Sequence, residues 1–291
     1  METIQLGRSI TMEVAEGLEI VFQDGKLKVR SKACDSKAVG TIGSKWGNHK
    51  KPPLYPGFTK IKGATWNGKK GPYALDKHGF PMVWIPVAIL PDGLSRVSYD
   101  NSELSDEEYH EKVPEWRIQQ IIADGGFYFP ANPVSRNKDG KLQLCEGELP
   151  LYNISYDEAV IWLKVLDTKG IGYRPAYGVE YDCVCEWLKM NGYSMTDSTN
   201  WGNYCNTPKR EEELALIGSR KEARTSIGLN DFGGTLWWIT EEKNRRLYCA
   251  VRGGSCNCDG DDYPAGVRNC IIASTCYNRV GVWAVPFKKE Q

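Results

Sequence analysis

Apolar and polar positions alternate through Leu18-Glu19-Ile20-Val21-Phe22, and again through Leu27-Lys28-Val29, on either side of Asp24-Gly25. Period-two patterning around an Asp-Gly pair predicts two strands joined by a tight turn. Patterning before Leu18 is weak. Residues 34–75 are rich in Gly, Lys, Pro and Trp without any period, which predicts a loop-rich connector. Phe80-Pro81-Met82-Val83-Trp84-Ile85-Pro86 restarts a compact apolar run and predicts a buried strand. Residues 91–116 are polar and acidic, with a short surface helix expected near 106–116. Gly125-Gly126-Phe127-Tyr128-Phe129 predicts another strand, and residues 132–148 a polar loop.

Helical signals follow. Ser155 is a good N-cap, Glu158 completes a capping box, and Asp157 and Glu158 suit the positive end of the helix dipole. Ala159, Trp162, Leu163 and Leu166 fall on one face, and Gly170 is the expected stop. A second helix is predicted over about 179–190, with Val179, Cys183, Trp187 and Leu188 as its apolar stripe and Asn191-Gly192 as its end. Beyond Trp201 only short segments remain: Ile217-Gly218-Ser219, Gly228-Leu229-Asn230-Asp231, Leu236-Trp237-Trp238-Ile239, Ala250-Val251-Arg252 and Val280-Gly281-Val282-Trp283. They read as short strands among long loops. Two helices followed by many short strands predict an α+β domain rather than a doubly wound one.

Composition narrows the function classes. The chain has 291 residues and a formal net charge of +0, so it lacks the basic excess of a dedicated nucleic-acid binder. No apolar run approaches the roughly 18 residues of a membrane span. The opening Met1-Glu2-Thr3-Ile4-Gln5-Leu6-Gly7-Arg8 lacks the charged-then-apolar order of an export signal, so the ten cysteines are not read first as a disulfide framework. The three histidines, His49, His78 and His110, all precede residue 111. Chemistry in the rest of the chain must therefore manage without imidazole.

The order of short motifs adds more than any one of them. Asn153-Ile154-Ser155-Tyr156-Asp157-Glu158-Ala159 is followed by Arg174-Pro175-Ala176-Tyr177-Gly178-Val179-Glu180-Tyr181, then by Asn200-Trp201-Gly202-Asn203 and Ile217-Gly218-Ser219. Gly228-Leu229-Asn230-Asp231-Phe232-Gly233-Gly234, Leu236-Trp237-Trp238, Arg252-Gly253-Gly254-Ser255 and Gly281-Val282-Trp283-Ala284 complete the series. Over roughly residues 80–291 this series resembles the formylglycine-generating-enzyme type of C-type lectin fold. The resemblance implies two helices with short twisted strands and long loops, and a division into a small β-rich N-terminal region, 1–75, and a lectin-like domain, 76–291. That fold serves an oxidase class, with copper-binding cysteines soon after the Arg-Gly-Gly-Ser segment. It also serves the variable proteins of diversity-generating retroelements, which display a hypervariable binding surface. Fold alone does not choose between them.

The stretch Cys256-Asn257-Cys258-Asp259-Gly260-Asp261-Asp262-Tyr263-Pro264-Ala265-Gly266-Val267-Arg268-Asn269-Cys270-Ile271-Ile272-Ala273-Ser274-Thr275-Cys276-Tyr277-Asn278 does discriminate. Retroelement variable proteins randomise adenines, mostly in AAC codons. That cannot yield Lys, Glu, Gln, Met or Trp. These five types fill about a fifth of the chain, yet none occurs in these 23 residues. The stretch therefore looks like an outcome of such randomisation. Its short polar and aromatic side chains also suit a binding surface, as in antibody loops, with Trp237, Trp238 and Trp283 as framework.

Other chemistry fits less well. A zinc site from Cys256, Cys258, Cys270 and Cys276 would need a spacing unlike the usual knuckle. Asp259, Asp261 and Asp262 could ligate calcium or form a solvated acidic loop. In the oxidase class an aromatic and arginine-rich run follows the second cysteine, whereas Cys258 is followed by Asp259-Gly260-Asp261-Asp262.

The resemblance thus implies a non-enzymatic ligand-binding protein without catalytic residues, cofactor or metal, the alternative being a formylglycine-generating-enzyme-like copper oxidase. The implied contact positions are Asn257, Cys258, Asp261, Asp262, Tyr263, Arg268, Cys270, Ile272, Ser274, Cys276, Tyr277 and Asn278. Strand alternation means that not all of them meet ligand at once. The expected partner is a protein or glycan on a host cell surface. The N-terminal region is expected to join other virion proteins or a homo-oligomer, in a virion assembled in the cytoplasm. Neither nucleic-acid binding nor membrane insertion is expected.

Overall fold

The structure is a computed structural model that describes the backbone of residues 2–5, 11–14, 18–23 and 26–31, and residues 51–66, 71–87, 113–208, 214–243 and 247–289. The chain divides into two compact units, Met1–His49 and Lys50–Gln291. In the first, β1 (Glu2–Gln5) pairs antiparallel with β2 (Thr11–Val14), and β3 (Leu18–Gln23) with β4 (Lys26–Ser31). The β3–β4 register runs from Leu18 opposite Ser31 to Gln23 opposite Lys26, as the alternation predicts. Asp24 and Gly25 lie outside the described residues.

The second unit begins well before residue 76. Tyr55, Phe58 and Tyr73 are buried, and the rings of Tyr55 and Phe58 lie 4.9 and 5.0 Å from that of Tyr128. Single aromatic anchors hold this aperiodic stretch, so it carries no repeating signal although it belongs to the core. Within it, β5 (Thr59–Lys60) and β6 (Ala74–Leu75) open an antiparallel sheet completed by β7 (Pro81–Pro86) and β8 (Gly126–Pro130). Both apolar runs are strands, as predicted. The polar loop that follows contains a short pair, β9 (Ser135–Arg136) and β10 (Leu142–Gln143).

Among the described residues there are three α-helices. The first, α1 (Glu115–Asp124), starts after Pro114 and ends at the left-handed Gly125. It lies C-terminal to the helix expected near 106–116, whose residues 106–112 fall outside the described set. The next, α2 (Tyr156–Leu163), carries the predicted capping box: Glu158 N–H donates to Ser155 Oγ at 3.2 Å, and Ser155 N–H to Glu158 Oε2 at 3.0 Å. It tightens after Leu163 into one 3-10 turn, Lys164–Leu166, which buries Leu166. Gly170 is therefore not its stop but part of the turn into β11 (Ile171–Arg174), which pairs with β16 (Val285–Lys288). The last helix, α3 (Gly178–Met190), matches its predicted range.

The second sheet has the order β14-β13-β12-β15, formed by β12 (Trp237–Lys243), β13 (Tyr248–Arg252), β14 (Arg268–Ile272) and β15 (Val280–Val282). Its pairs are antiparallel except β12–β15, and β14 is an edge. Ile217-Gly218-Ser219 and Gly228–Asp231 are not strands. Their backbone bonds close turns, Ser219 N–H to Leu216 O and Gly228 N–H to Thr225 O. Mixed helices and mainly antiparallel sheets make the unit α+β. No helix among the described residues is long and apolar enough to cross a membrane.

Helix α3 is buried on nearly every side, including Glu180 and Asp182 among its acids. Glu180 receives Arg174 Nη1 and Nη2, both at 2.8 Å, Arg117 Nε at 2.8 Å and Tyr177 N–H at 2.9 Å. Burial opposes its charge, but the two guanidiniums and these donors hold its pKa down to about 2. Asp182 meets Arg252 at 2.5 Å, Glu242 meets Arg252 at 3.4 Å, and Arg268 meets Glu242 at 3.0 Å. Two acids and two arginines thus neutralise one another between α3 and the second sheet. Burial works against the Arg252 charge, but Asp182 and Glu242 hold it protonated.

Candidate ligand-binding surface

Beyond β13 the chain leaves the sheet and returns at β14, and the intervening loop rests on residues 194–208. Ser198 N–H donates to Gly260 O at 2.8 Å, Ala265 N–H to Ser198 Oγ at 2.9 Å, and Cys205 N–H to Cys258 O at 2.9 Å. Tyr181 OH reaches Ala265 O at 3.1 Å. The approach is close enough to require glycine. A Cβ on Gly260 would stand 2.7 Å from Thr199 N, and one on Gly254, at φ +66°, 2.3 Å from Tyr263 O. A second layer of side-chain bonds lies outside: Cys205 Sγ to Asp259 Oδ1 at 2.7 Å, Asn206 Nδ2 to Asp261 Oδ1 at 2.9 Å, and Gly260 N–H to Asn206 Oδ1 at 2.9 Å. Asn257, Asp261, Asp262 and Tyr263 face solvent. The Tyr263 ring meets Trp237 edge-on, 5.8 Å between centroids.

The second patch begins on edge strand β14. Ile272 stands opposite Tyr248, and both are 36% exposed. Two β14 amides are met by side chains rather than by another strand: Cys270 N–H by Asn269 Oδ1 at 2.7 Å, and Ile272 N–H by Tyr277 OH at 3.3 Å. The chain then crosses the start of α2. Asp157 N–H donates to Ala273 O at 3.3 Å, Ile154 bridges to Tyr277, and the Cys276 thiol donates to Glu158 Oε2 at 3.0 Å. That bond lowers the Glu158 pKa, assisted by Ser155, and raises that of the Cys276 thiol. Cys276 is therefore a poor thiolate donor despite its exposure.

Of the twelve positions read from the sequence, Asn257, Asp261, Asp262, Tyr263, Ile272, Ser274, Cys276 and Asn278 are exposed, and Cys258, Cys270 and Tyr277 are half-buried. Arg268 departs from the expectation. It is buried and pairs with Glu242, so it belongs to the interior charge group and not to the surface. Trp238 and Trp283 are fully buried framework, as expected, whereas Trp237 is half-buried and touches the surface through Tyr263. The nine described cysteines are thiols rather than disulfides. No three of Cys256, Cys258, Cys270 and Cys276 converge where a metal could sit, nor do Asp259, Asp261 and Asp262. These cysteines occupy separate places in the loop, the edge strand and the turn over α2.

No family model matches the chain, and no curated protein matches it. Among solved structures it is similar to Treponema denticola variable protein 1, at 13% identity and a TM-score of 0.42, over 80% of this chain and 100% of that one.

Cys205, Asn206 and Tyr248 border the surface without having been marked by the sequence. The partners of Cys205 and Asn206 lie 54 and 55 residues away, so no local pattern could have found them. Tyr248 becomes visible only through the β13–β14 register.

Proposed function

We propose that residues 256–278 form a diversified ligand-binding surface on a lectin-type scaffold of the retroelement variable-protein class, and that the protein binds rather than catalyses. The observation that carries this reading is the sorting of side chains within the stretch. Eleven of the twelve candidate positions reach solvent, while the backbone beneath them is tied to 194–208, α2 and β13. A rigid base beneath short polar and aromatic side chains is what a variable recognition surface requires.

The buried positions support the same reading. Eight positions of the stretch are buried, Cys256, Gly260, Pro264, Ala265, Gly266, Val267, Arg268 and Ile271, and every residue type among them except Ile can be encoded without adenine. Adenine-directed randomisation would then pass over seven of the eight structural positions, Ile271 being the exception, and strike mainly the exposed ones. On this reading the ligand is a protein or glycan of a host cell, and the protein is carried on a virion, gaining strength from many copies.

Deep sequencing of the 3′ end of the gene across the source population tests the proposal. Substitutions clustered at the exposed positions, with adenine-free codons at the buried positions other than Ile271, are the expected result. An invariant stretch, or an AGA or AGG codon at Arg268, refutes it.

A further inference from the structure

We infer that Asn206, which lies outside the diversified stretch, is a positioning residue for it. This inference rests on the reading of the stretch as a ligand surface. The side-chain amide of Asn206 works at both ends: its Oδ1 accepts from Gly260 N–H at 2.9 Å, and its Nδ2 donates to Asp261 Oδ1 at 2.9 Å. One exposed residue thereby grips two consecutive positions of the loop, beside a third contact from Cys205 to Asp259. Asn206 faces solvent, so its contribution lies in these bonds and not in core packing.

The two arms differ in kind. The Oδ1 arm holds a main-chain amide, and it operates whatever side chain stands at position 261. The Nδ2 arm needs an acceptor there, which Asp261 supplies. The first arm therefore serves every member of a diversified population, and the second aims this member's carboxylate. A loop already held in place loses less conformational freedom on binding, which favours affinity.

Amide hydrogen exchange on the full chain, read residue by residue by NMR, tests this without any ligand. Asn206→Ala is expected to speed exchange at Gly260 by about tenfold, the effect of losing local hydrogen bonds on a local opening, and to leave the amides of α3 and β12 unchanged. Asn206→Asp alone sets two carboxylates against each other and keeps Gly260 poorly protected. Combining Asn206→Asp with Asp261→Asn reverses the polarity of the second arm, since the new carboxylate can accept from both Gly260 N–H and the amide introduced at 261. Protection at Gly260 is then expected to return to within about twofold of the original. Unchanged exchange in Asn206→Ala, or a pair no better protected at Gly260 than Asn206→Ala, overturns the inference. An invariant stretch on sequencing would sink the functional reading and leave the clamp intact, so the two failures are distinguishable.

Discussion

Arg268 separates a structural from a recognition role within the same stretch of chain. Its side chain is 3% exposed and faces Glu242, which is fully buried. Replacing Arg268 by Ala strands the Glu242 carboxylate, whose other ionic partner is Arg252 at 3.4 Å. Breaking a buried ion pair costs about 3–5 kcal/mol, because the surviving charge keeps its desolvation penalty. The remaining Arg252 contact places this case near the lower end, about 3 kcal/mol. For a unit of this size each kcal/mol moves Tm by about 2–4 °C, so a fall of roughly 6–12 °C is expected. Asn269→Ala and Asn257→Ala, at exposed neighbours, should stay within about 0.5 kcal/mol. Calorimetry of the three variants reads the contrast. Removing both charges, as Arg268→Met with Glu242→Gln, leaves the Asp182–Arg252 pair neutral and should recover part of the loss. If Arg268→Ala melts within 1–2 °C of the parent, roughly the effect of an ordinary surface change, the assignment of Arg268 to the core is wrong.

Two further outcomes follow from the titrating groups. Burial pushes the Asp231 carboxyl up to about 7, against the Gly218 N–H, the Thr235 hydroxyl and the charges of Arg224 and Arg220. The native state then holds a proton that the unfolded chain releases near pH 4, so this contribution to stability falls as pH rises from about 4 to 7, by up to roughly 4 kcal/mol. Glu180 acts in the opposite sense, its stabilisation being lost as pH falls from 4.5 towards 2. Melting curves of parent and Asp231→Asn across pH 4–7 should differ in slope, and parallel curves would refute the assignment. Glu158→Gln removes the carboxylate that raises the Cys276 thiol pKa, so alkylation of Cys276 by iodoacetamide near pH 8 should speed up several-fold by mass spectrometry. An unchanged rate would mean that Glu158 does not control that thiol.

What could be read from the sequence was whatever repeats or caps locally. The β3–β4 hairpin, β7, β8 and α3 announce themselves by period, and α2 by Ser155 and Glu158. Residues 51–66 did not, because Tyr55 and Phe58 enter the core singly from an aperiodic chain. The end of α2 was misplaced because Gly170 is a common stop signal, whereas burying Leu166 requires a tighter turn first. Arg268 was misread for a related reason: a lone arginine in a polar stretch carries no mark of Glu242, which lies 26 residues earlier. The exclusion of five residue types over 23 positions is visible in the sequence alone, but it does not tell which of those positions face solvent, since Arg268 and Ile271 carry no mark of their burial.

If the stretch is diversified as proposed, the side-chain caps on β14 carry a consequence for the resulting population. A sheet margin with open donors invites pairing with another chain, and natural proteins blunt such margins. Here the blunting is entrusted to Asn269 and Tyr277, both within the stretch proposed to vary. On that reading each variant would have to solve two problems with the same few side chains, recognising its target and keeping its own kind apart. Variants that gain a better contact by giving up one of these caps would become prone to clump, so solubility would act as a silent filter on such a repertoire before any target is met.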